Sequence, residues 1–269
     1  MRRFGEYEVF ILLDGVFDAD VEGLVHAKGP EARQSAIAAW GKPTIRMDVN
    51  CFLLRGASGT ILVDTGCGTM WGEEFGKARN LLAALGVTPE SVDHVLLTHV
   101  HGDHAYGLFD GDQPYFLRAL VHVSRPELAF FTDPAARETL PKTRQGGFDV
   151  TATIQRLYGE RVKAFPHGPL MPGIEAMPLP GHTAGHTGYL LKDKEHSLLI
   201  WGDMLHMPDV QPADPELGMI YDLDPATAIK TRRQAVVEAA RQGWVIAGSH
   251  VTGFNRVEAG PNGPRVVSA

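Results

Sequence analysis

Short apolar runs recur along the first half of the chain and are separated by turn residues. Runs of this length, bounded by glycine, proline or aspartate, are typical of buried strands. They predict strands over residues 9–13, 45–54, 60–63, 95–97 and 120–123. The first run is followed by Asp14-Gly15, a dipeptide typical of turns, so we expect the strand to end there. The sequence Gly56-Ala57-Ser58-Gly59 lies between the second and third runs and predicts a hairpin.

Helical segments are predicted between these strands. They cover residues 31–40 and 73–85, and a third helix is expected to begin after Ser124, a favourable N-cap residue. Residues 132–149 are instead rich in charge, proline and glycine. A segment of this composition is expected to be irregular, and either a binding loop or a solvated connection fits it.

The second half of the chain repeats the alternation of strand and helix. Strands are predicted over residues 162–165, 174–179, 187–191, 197–201 and 244–247. The clearest helix begins at Asp224-Pro225, an N-cap followed by proline at the first helical position, and ends at Gly243. Arg232 and Arg233 are expected on the solvent-facing side of this helix. The alternation predicts an α/β architecture.

Composition narrows the classes of protein that fit. With 269 residues and 44% hydrophobic content, we expect one domain over residues 1–269. The net charge is −7 and no lysine or arginine run exceeds two residues, so no nucleic-acid partner is expected. The N-terminus lacks the apolar run of a signal peptide, and no segment approaches the length of a membrane span. Two cysteines are too few for a disulfide framework, and we expect a cytoplasmic protein with no membrane partner.

The strongest chemical signal follows the predicted strand at residues 95–97. His99, His101, Asp103 and His104 lie within six residues. A chain that leaves a strand in a tight turn can direct alternate side chains to one point, so the first two can share one metal while the last two face a second. Imidazole and carboxylate together suit zinc, iron, manganese or cobalt, and two such metals can share a hydroxide. The alternative is a polar loop with incidental histidines.

Three later strand ends carry further candidate ligands. His182 lies in a glycine-rich turn, Asp203 follows the predicted strand at 197–201, and His250 follows the last strand. A carboxylate can donate one oxygen to each of two metals, which makes Asp203 the candidate bridge, although a turn aspartate is the simpler alternative. His186 is expected to make a structural hydrogen bond.

Asp64 ends the strand at residues 60–63 and has two compatible interpretations. It can accept the second ring N–H of a metal-binding histidine, which fixes the orientation of the ring. It can also cap the glycine-rich turn that follows.

In sequence order these motifs resemble the metallo-β-lactamase superfamily, from about residue 9 to residue 250. The matching motifs are Val63-Asp64-Thr65-Gly66, His99-Val100-His101-Gly102-Asp103-His104, Gly181-His182-Thr183-Ala184-Gly185-His186, Gly202-Asp203 and Ser249-His250. The resemblance implies an αβ/βα sandwich of two mixed β-sheets flanked by helices, with the metals at one edge. It also implies that one metal takes His99, His101 and His182, the other takes Asp103, His104 and His250, and Asp203 bridges them.

Within the superfamily the chain is most similar to the acyl-homoserine lactonases and the methyl parathion hydrolase-like group. This resemblance implies a hydrolase with two divalent metal ions, zinc first, with iron, manganese or cobalt as alternatives. The expected reaction is opening of a lactone ester, above all N-acyl-homoserine lactone in quorum quenching, by a metal-bound hydroxide. Alternatives are a phosphotriesterase or arylesterase, a β-lactamase, and a non-catalytic metal-binding protein. Lactonases of this kind are often dimers, so the resemblance allows a homodimer but leaves the oligomeric state open.

Candidate roles in catalysis follow from the same resemblance. Asp103 or Asp203 is expected to carry a proton to the leaving group, and His206 to support the oxyanion. Many lactonases of this kind have a tyrosine at the position of His206, and its replacement leaves wider ester specificity open. The substrate pocket is expected to use apolar residues near the metal edge, for each of which core packing is the alternative: Met70, Trp71, Phe148, Met204 and Met219.

Overall fold

A computed structural model describes residues 1–269, which form eighteen strands and seven α-helices. The elements of the first half are β1 (Arg2–Phe4), β2 (Tyr7–Asp20), β3 (Leu24–His26), α1 (Pro30–Trp40), β4 (Thr44–Gly56), β5 (Gly59–Val63), α2 (Lys77–Ala84), β6 (His94–Leu96), α3 (Gly102–Ala105), β7 (Phe109–Asp110), β8 (Gln113–Pro114), β9 (Leu120–Ser124) and α4 (Arg125–Phe131). Those of the second half are α5 (Pro134–Glu138), α6 (Gly146–Tyr158), β10 (Val162–Phe165), β11 (Gly168–Met171), β12 (Ile174–Pro178), β13 (Thr187–Leu191), β14 (Leu198–Ile200), β15 (Leu217–Met219), α7 (Pro225–Gln242), β16 (Val245–Gly248), β17 (Val251–Gly260) and β18 (Gly263–Ser268).

Two seven-stranded mixed sheets form the centre of the fold. The first has the order β1-β2-β4-β5-β6-β9-β10 and the second β11-β12-β13-β14-β16-β17-β18. Four strand pairs are parallel: β5 with β6, β6 with β9, β9 with β10, and β14 with β16. The remaining pairs within both sheets are antiparallel. Two small sheets pair β15 with β3 and β7 with β8.

Apolar side chains hold these layers together. Phe52, Leu96, Tyr189 and Ile200 pack between the two sheets. Helices α2, α4 and α6 cover the outer face of the first sheet, and α7 covers the outer face of the second. The expected αβ/βα sandwich is therefore confirmed. None of the helices combines the length and hydrophobicity needed to cross a membrane.

The hairpin of β4 and β5 is confirmed, as are helix α1 and helix α7 with Asp224 as its N-cap. The predicted end of the first strand is wrong. Strand β2 continues past Asp14, and its register against β4 shifts between Leu13 and Gly15, which is a β-bulge. The buried Asp14 carboxylate accepts hydrogen bonds from the backbone of Cys67, Gly76 and Ala78, so it holds the loop before α2.

Two further expectations are corrected. Residues 132–149 are largely helical, because they contain α5, a 3-10 turn at Lys142–Arg144 and the start of α6. Arg232 is not on the solvent-facing side of α7: only 1% of it is exposed, and it pairs with Asp222. Arg233 does face solvent.

Candidate metal centre

The structure brings all seven predicted ligands to one edge of the sandwich. Four of them follow β6: His99 and His101 lie in the tight turn that leads into the short helix α3, and Asp103 and His104 lie in that helix. The other three follow later strands, His182 between β12 and β13, Asp203 after β14, and His250 after β16. Strand ends of both sheets meet at this edge of the sandwich, which explains why residues so distant in sequence become neighbours.

The first group of ligand atoms belongs to His99, His101 and His182, and these atoms lie within 4.8 Å of one another. His182 Nε2 lies 3.0 Å from His101 Nδ1. His99 and His182 are buried, whereas His101 is partly exposed and lies on the wall of the adjoining cavity.

The second group contains Asp103, His104, Asp203 and His250, again within 4.8 Å. Asp203 Oδ1 lies 3.2 Å from His104 Nε2, and Oδ2 lies 3.0 Å from His250 Nε2. Oδ2 is also 3.3 Å from His182 Nε2, which belongs to the first group. The Asp203 carboxylate therefore lies between the two groups.

Asp64 orients His104. Its Oδ2 lies 2.9 Å from His104 Nδ1 and accepts the Thr98 hydroxyl, while its Oδ1 accepts the Thr98 backbone N–H. Because the Nδ1 proton is directed to Asp64, the Nε2 lone pair of His104 remains available to the centre. Asp64 adopts φ 58°, a left-handed conformation that aspartate tolerates better than most residues. The glycine-rich turn after Asp64 is held by Asp14 instead.

Two other ligands are oriented in the same way. Asp222 Oδ1 lies 3.0 Å from His182 Nδ1, and Asp222 Oδ2 lies 3.1 Å from Arg232 Nη2. The backbone carbonyl of Asp48 accepts the Nδ1 proton of His250 at 2.7 Å. In both histidines Nε2 is left to face the centre.

Histidines outside the ligand set have other partners. His186 donates from Nδ1 to the carbonyl of Leu179, and its Nε2 accepts the backbone N–H of Asp203 at 3.0 Å. The expected structural hydrogen bond of His186 is thus observed, and it helps to place Asp203. His122, on β9, pairs with His94 on the adjacent strand.

Buried polar atoms of the centre lack hydrogen-bond partners on the protein. They include His99 Nε2, His104 Nε2 and Asp203 Oδ1, and both ring nitrogens of His206. Buried atoms of this kind are rare in proteins unless something else binds them. Imidazole nitrogen and carboxylate oxygen form a donor set that zinc, iron, manganese and cobalt accept. The residues present therefore fit divalent metal ions.

The electrostatics of the centre favour a cation. Burial lowers the pKa of His99 well below its ordinary value and, with repulsion from His182, lowers the pKa of His101 to about 3. Burial alone would raise the pKa of Asp203, but His104 and His250 hold it well below its ordinary range. Neutral imidazoles and an ionised carboxylate are the forms that bind metal.

The pKa of His104 shifts in the opposite direction to those of His99 and His101. Burial opposes its protonation, but the carboxylates of Asp203 and Asp103 outweigh burial and raise its pKa well above the ordinary value. A proton on His104 thus offsets part of the negative charge of the carboxylates. A divalent cation held by these residues would supply the same compensation more fully, because it carries two positive charges.

A cavity of about 460 Å³ lies beside the ligands. Its wall includes Asp103, Asp203 and His206, and a mainly apolar surface formed by Phe17, Met47, Trp71, Tyr106, Phe131, Ile220, Tyr221 and Leu223. The His206 ring stacks on that of His250, with centroids 5.0 Å apart, and its Nε2 lies 3.5 Å from Asp203 Oδ2. The volume and the mainly apolar lining of this cavity are typical of a binding site for small molecules.

The expected substrate pocket needs correction. Among its apolar residues only Trp71 lies on the cavity wall. Phe148 packs on neighbouring phenylalanine rings, Met204 packs under α7, and Met219 packs in a cluster around β3 and β15. Met70 is 55% exposed and lies off the wall. The sequence shows which apolar residues lie close to the site along the chain. It does not show whether each side chain faces the cavity or the core.

Sequence reasoning missed several residues that support the centre. Asp222 and Arg232 orient His182, and Glu127 connects the two ligand loops through Val100 and Thr183. An isolated Asp or Glu within or next to a helix carries no distinguishing pattern. The one signal against a solvent-facing Arg232 was its helical spacing, four residues from both Ala228 and Val236, which places it on the buried face of α7. Arginine is almost never fully buried unless it is paired.

The sequence matches the model of the Metallo-beta-lactamase superfamily over residues 44–250, which include all seven predicted ligands. The chain belongs to the metallo-β-lactamase superfamily. It is 28% identical over 198 residues to the uncharacterized protein YobT of Bacillus subtilis (strain 168), covering 71% of this chain and 76% of that one.

Two solved members of this fold are especially similar. The hydrolase AbOPH, of the beta-lactamase superfamily, is 28% identical with a TM-score of 0.88, covering 100% of this chain and 96% of that one. AidC, a dizinc quorum-quenching lactonase solved with the product N-hexanoyl-L-homoserine, has the same TM-score and coverage at 22% identity, which shows a shared fold. As a member of this superfamily, the protein is indicated to be a metal-dependent hydrolase.

Proposed function

We propose that this protein opens the ester bond of a lactone, N-acyl-homoserine lactone above all, with the help of two divalent metal ions. The observation that carries the proposal is the Asp203 carboxylate, which lies between two groups of ligand atoms beside a mainly apolar cavity. The likeness to the fold of the lactonase AidC supports this choice of substrate.

The seven candidate ligands would divide between the two ions according to the two groups of ligand atoms described above. His99, His101 and His182 would hold one and Asp103, His104 and His250 the other, with Asp203 shared. Zinc is the first choice for such ligands, with iron, manganese and cobalt as alternatives. When bound, such a pair polarises a carbonyl and lowers the pKa of water.

The residues of the chain have their own tasks in the proposed reaction. Asp103 is 14% exposed in its side chain and lies on the cavity wall, so its carboxylate can take up a proton and return it to the leaving alkoxide. His206, with ring nitrogens free of protein partners, can donate a hydrogen bond to the oxygen that gains charge. The apolar wall excludes water from the acyl part of the substrate.

A second candidate is hydrolysis of aryl esters or phosphotriesters. It is favoured by His206, which occupies the position where many lactonases of this kind have a tyrosine. The same ligand arrangement would serve either reaction, because both need attack at a polarised carbon or phosphorus.

The test is a substrate panel with protein reconstituted with zinc, manganese or cobalt. We expect the kcat/KM for hexanoyl and decanoyl homoserine lactones to exceed that for an aryl ester and for paraoxon by about a hundredfold, or roughly 2.7 kcal/mol of transition-state binding. A higher kcat/KM for the aryl ester or paraoxon would replace the lactonase proposal with the second candidate. Protein that binds two metals and hydrolyses none of these compounds would overturn both.

A further inference from the structure

The cavity wall carries one arginine, Arg144, and no lysine. The acidic residues of the wall are Asp103 and Asp203, and its histidines are His101, His182, His206 and His250. Arg144 comes from the 3-10 turn between α5 and α6, within the segment for which the sequence left a binding loop and a solvated connection equally open. Thr143, Gly146 and Gly147 of the same segment also lie on the wall.

This segment holds Arg144 in a fixed position. The Gln145 side-chain amide donates to the carbonyls of Arg137 at 3.0 Å and Leu140 at 2.9 Å. At Gly147 a Cβ atom would lie 2.4 Å from the ring of Phe131, so the backbone here packs directly against α4. The turn that presents Arg144 to the cavity is therefore anchored on both sides.

The protein accepts hydrogen bonds from only some of the N–H groups of the Arg144 guanidinium. Its Nη2 donates to the carbonyl of Asp222 at 2.6 Å and to that of Tyr221 at 3.3 Å. A guanidinium has five N–H groups, and Nη2 carries two of them. Nε and Nη1 make no hydrogen bond within the chain, and no carboxylate lies within 4.0 Å of the group.

The surroundings of Arg144 are unusual for a charged side chain. Arg144 is partly buried, and its neighbours on the wall include Phe131, Ile220, Tyr221 and Leu223. A charge in such a setting is costly unless it is paired. Arginine is the residue best suited to bind oxygen acceptors with a planar pair of N–H groups.

We propose that Arg144 determines substrate specificity by donating hydrogen bonds to a second oxygen acceptor, separate from the ester that is cleaved. Preferred substrates then have an ester or lactone, an apolar chain, and an amide carbonyl or carboxylate that reaches Arg144. This inference rests on the proposed ester hydrolysis and adds a second recognition point to it. In an acyl-homoserine lactone the amide carbonyl is this acceptor.

Three lactones with the same ring test the inference. The first is N-hexanoyl-homoserine lactone, and the second has an alkyl chain of equal length on the same ring carbon but no amide. In the third, this alkyl chain ends in a carboxylate. The quantity to compare is the ratio of kcat/KM for each acceptor-bearing lactone to that for the plain alkyl lactone. Because this is a ratio within one protein sample, differences in folding or metal loading between variants cancel.

The variants are Arg144→Met, Arg144→Lys and the control Lys142→Met, an exposed residue of the same turn that is not on the cavity wall. A hydrogen bond to a charged group corresponds to about a 10–100-fold effect. We expect Arg144→Met to lower the ratio for at least one acceptor-bearing lactone by that factor. Arg144→Lys keeps a cation without the planar fork and should lower it less, and Lys142→Met should leave it within about twofold.

The outcomes separate this inference from the proposed function. If the wild type hydrolyses the lactones and Arg144→Met leaves the ratio unchanged, Arg144 only supports the backbone of Asp222 and the inference is overturned. If the wild type hydrolyses none of them, the proposed function fails and the inference falls with it. Metal content per chain, measured for each variant, shows independently whether the contact of Arg144 with Asp222 affects the centre.

Discussion

At the scale of single residues, the site depends on where each carboxylate directs its two oxygens. Asp203 directs Oδ1 to His104 and Oδ2 to His250 and His182, and its backbone N–H donates to His186. A neutral amide at this position has only one oxygen with which to serve both groups. This side chain is therefore the most sensitive position of the centre.

Replacement of Asp203 by asparagine tests that role. We expect kcat/KM to fall by at least about a hundredfold, or roughly 2.7 kcal/mol, and the metal content to fall below that of the wild type. Activity assays and elemental analysis measure the two effects. Asp209→Asn, an exposed aspartate of the same loop, is the control. Full turnover with two metals bound to Asp203→Asn would rule out a shared carboxylate.

Asp64 offers a second test, through the tautomer of His104. The two Asp64 oxygens accept N–H groups from both Thr98 and His104, whereas asparagine has only one oxygen for these two donors. If its amide faces His104, the ring proton is forced to Nε2, the atom that faces the centre. Asparagine also tolerates the left-handed backbone at this position, so the fold should survive.

We expect Asp64→Asn to weaken metal binding by about 10–100-fold. Competition with a chelating dye gives the affinity directly, without an activity assay. Asp93→Asn, at an exposed aspartate that also accepts a backbone N–H, is the control. An unchanged affinity in Asp64→Asn would show that Asp64 does not set the orientation of His104.

At the scale of elements, helix α7 connects the second sheet to the centre. Arg232 on this helix pairs with Asp222 at 3.1 Å and donates to the carbonyl of Met204 at 3.1 Å. Asp222 in turn holds His182. A substitution in α7 can therefore change the orientation of His182 without contacting it.

Arg232→Met should destabilise the protein by about 3–5 kcal/mol, because it leaves the buried Asp222 carboxylate without its partner. The neighbouring Arg233→Met is a matched control. Arg233 is 58% exposed in its side chain and lies 3.5 Å from Glu216, so its loss should cost no more than about 1 kcal/mol. Urea unfolding measures both, and equal effects in the two variants would contradict the anchoring role of Arg232.

Helix α4 connects the two ligand loops through Glu127. One oxygen of this buried carboxyl accepts the backbone N–H of Val100, and the other accepts the Thr183 hydroxyl and the Gly185 N–H. Burial raises the pKa of Glu127 from 4.5 to about 7 despite these hydrogen bonds. Between these two pH values the Glu127 carboxyl is therefore protonated in the folded state and ionised in the unfolded state.

This shift predicts a pH dependence of stability. The contribution of Glu127 to the free energy of unfolding should fall as pH rises from about 4.5 to about 7, by about 3 kcal/mol in total. Glu127→Gln cannot titrate, so wild type should lose stability relative to this variant over that range and no further above it. Urea unfolding at several pH values gives the difference. A difference that stays constant or rises with pH would contradict the raised pKa.

At the scale of the whole molecule, much of the fold could be predicted from local pattern. Apolar runs and caps located strands such as β10 and β13 and the helix α7, because their signals are contained in a few neighbouring residues. The ligands could be located for the same reason. Each comes shortly after such a run, and the structure brings them together at one edge.

The rest depended on contacts between distant segments. Asp14 resembles a turn residue in the sequence, but its three backbone donors lie more than fifty residues away. Arg232 resembles a solvated arginine because its partner, Asp222, lies outside the helix. The pocket residues could not be chosen for a similar reason, since the wall is assembled from loops on several elements.

The central claim is that a pair of divalent ions, held by these seven residues, makes this protein an ester hydrolase. The most direct test is to strip the protein with a chelator, add zinc or manganese in steps, and record bound metal per chain together with kcat/KM for N-hexanoyl-homoserine lactone. We predict that activity rises with loading and is maximal at two metals per chain. Maximal activity at one metal, or no hydrolysis at two, would contradict the account.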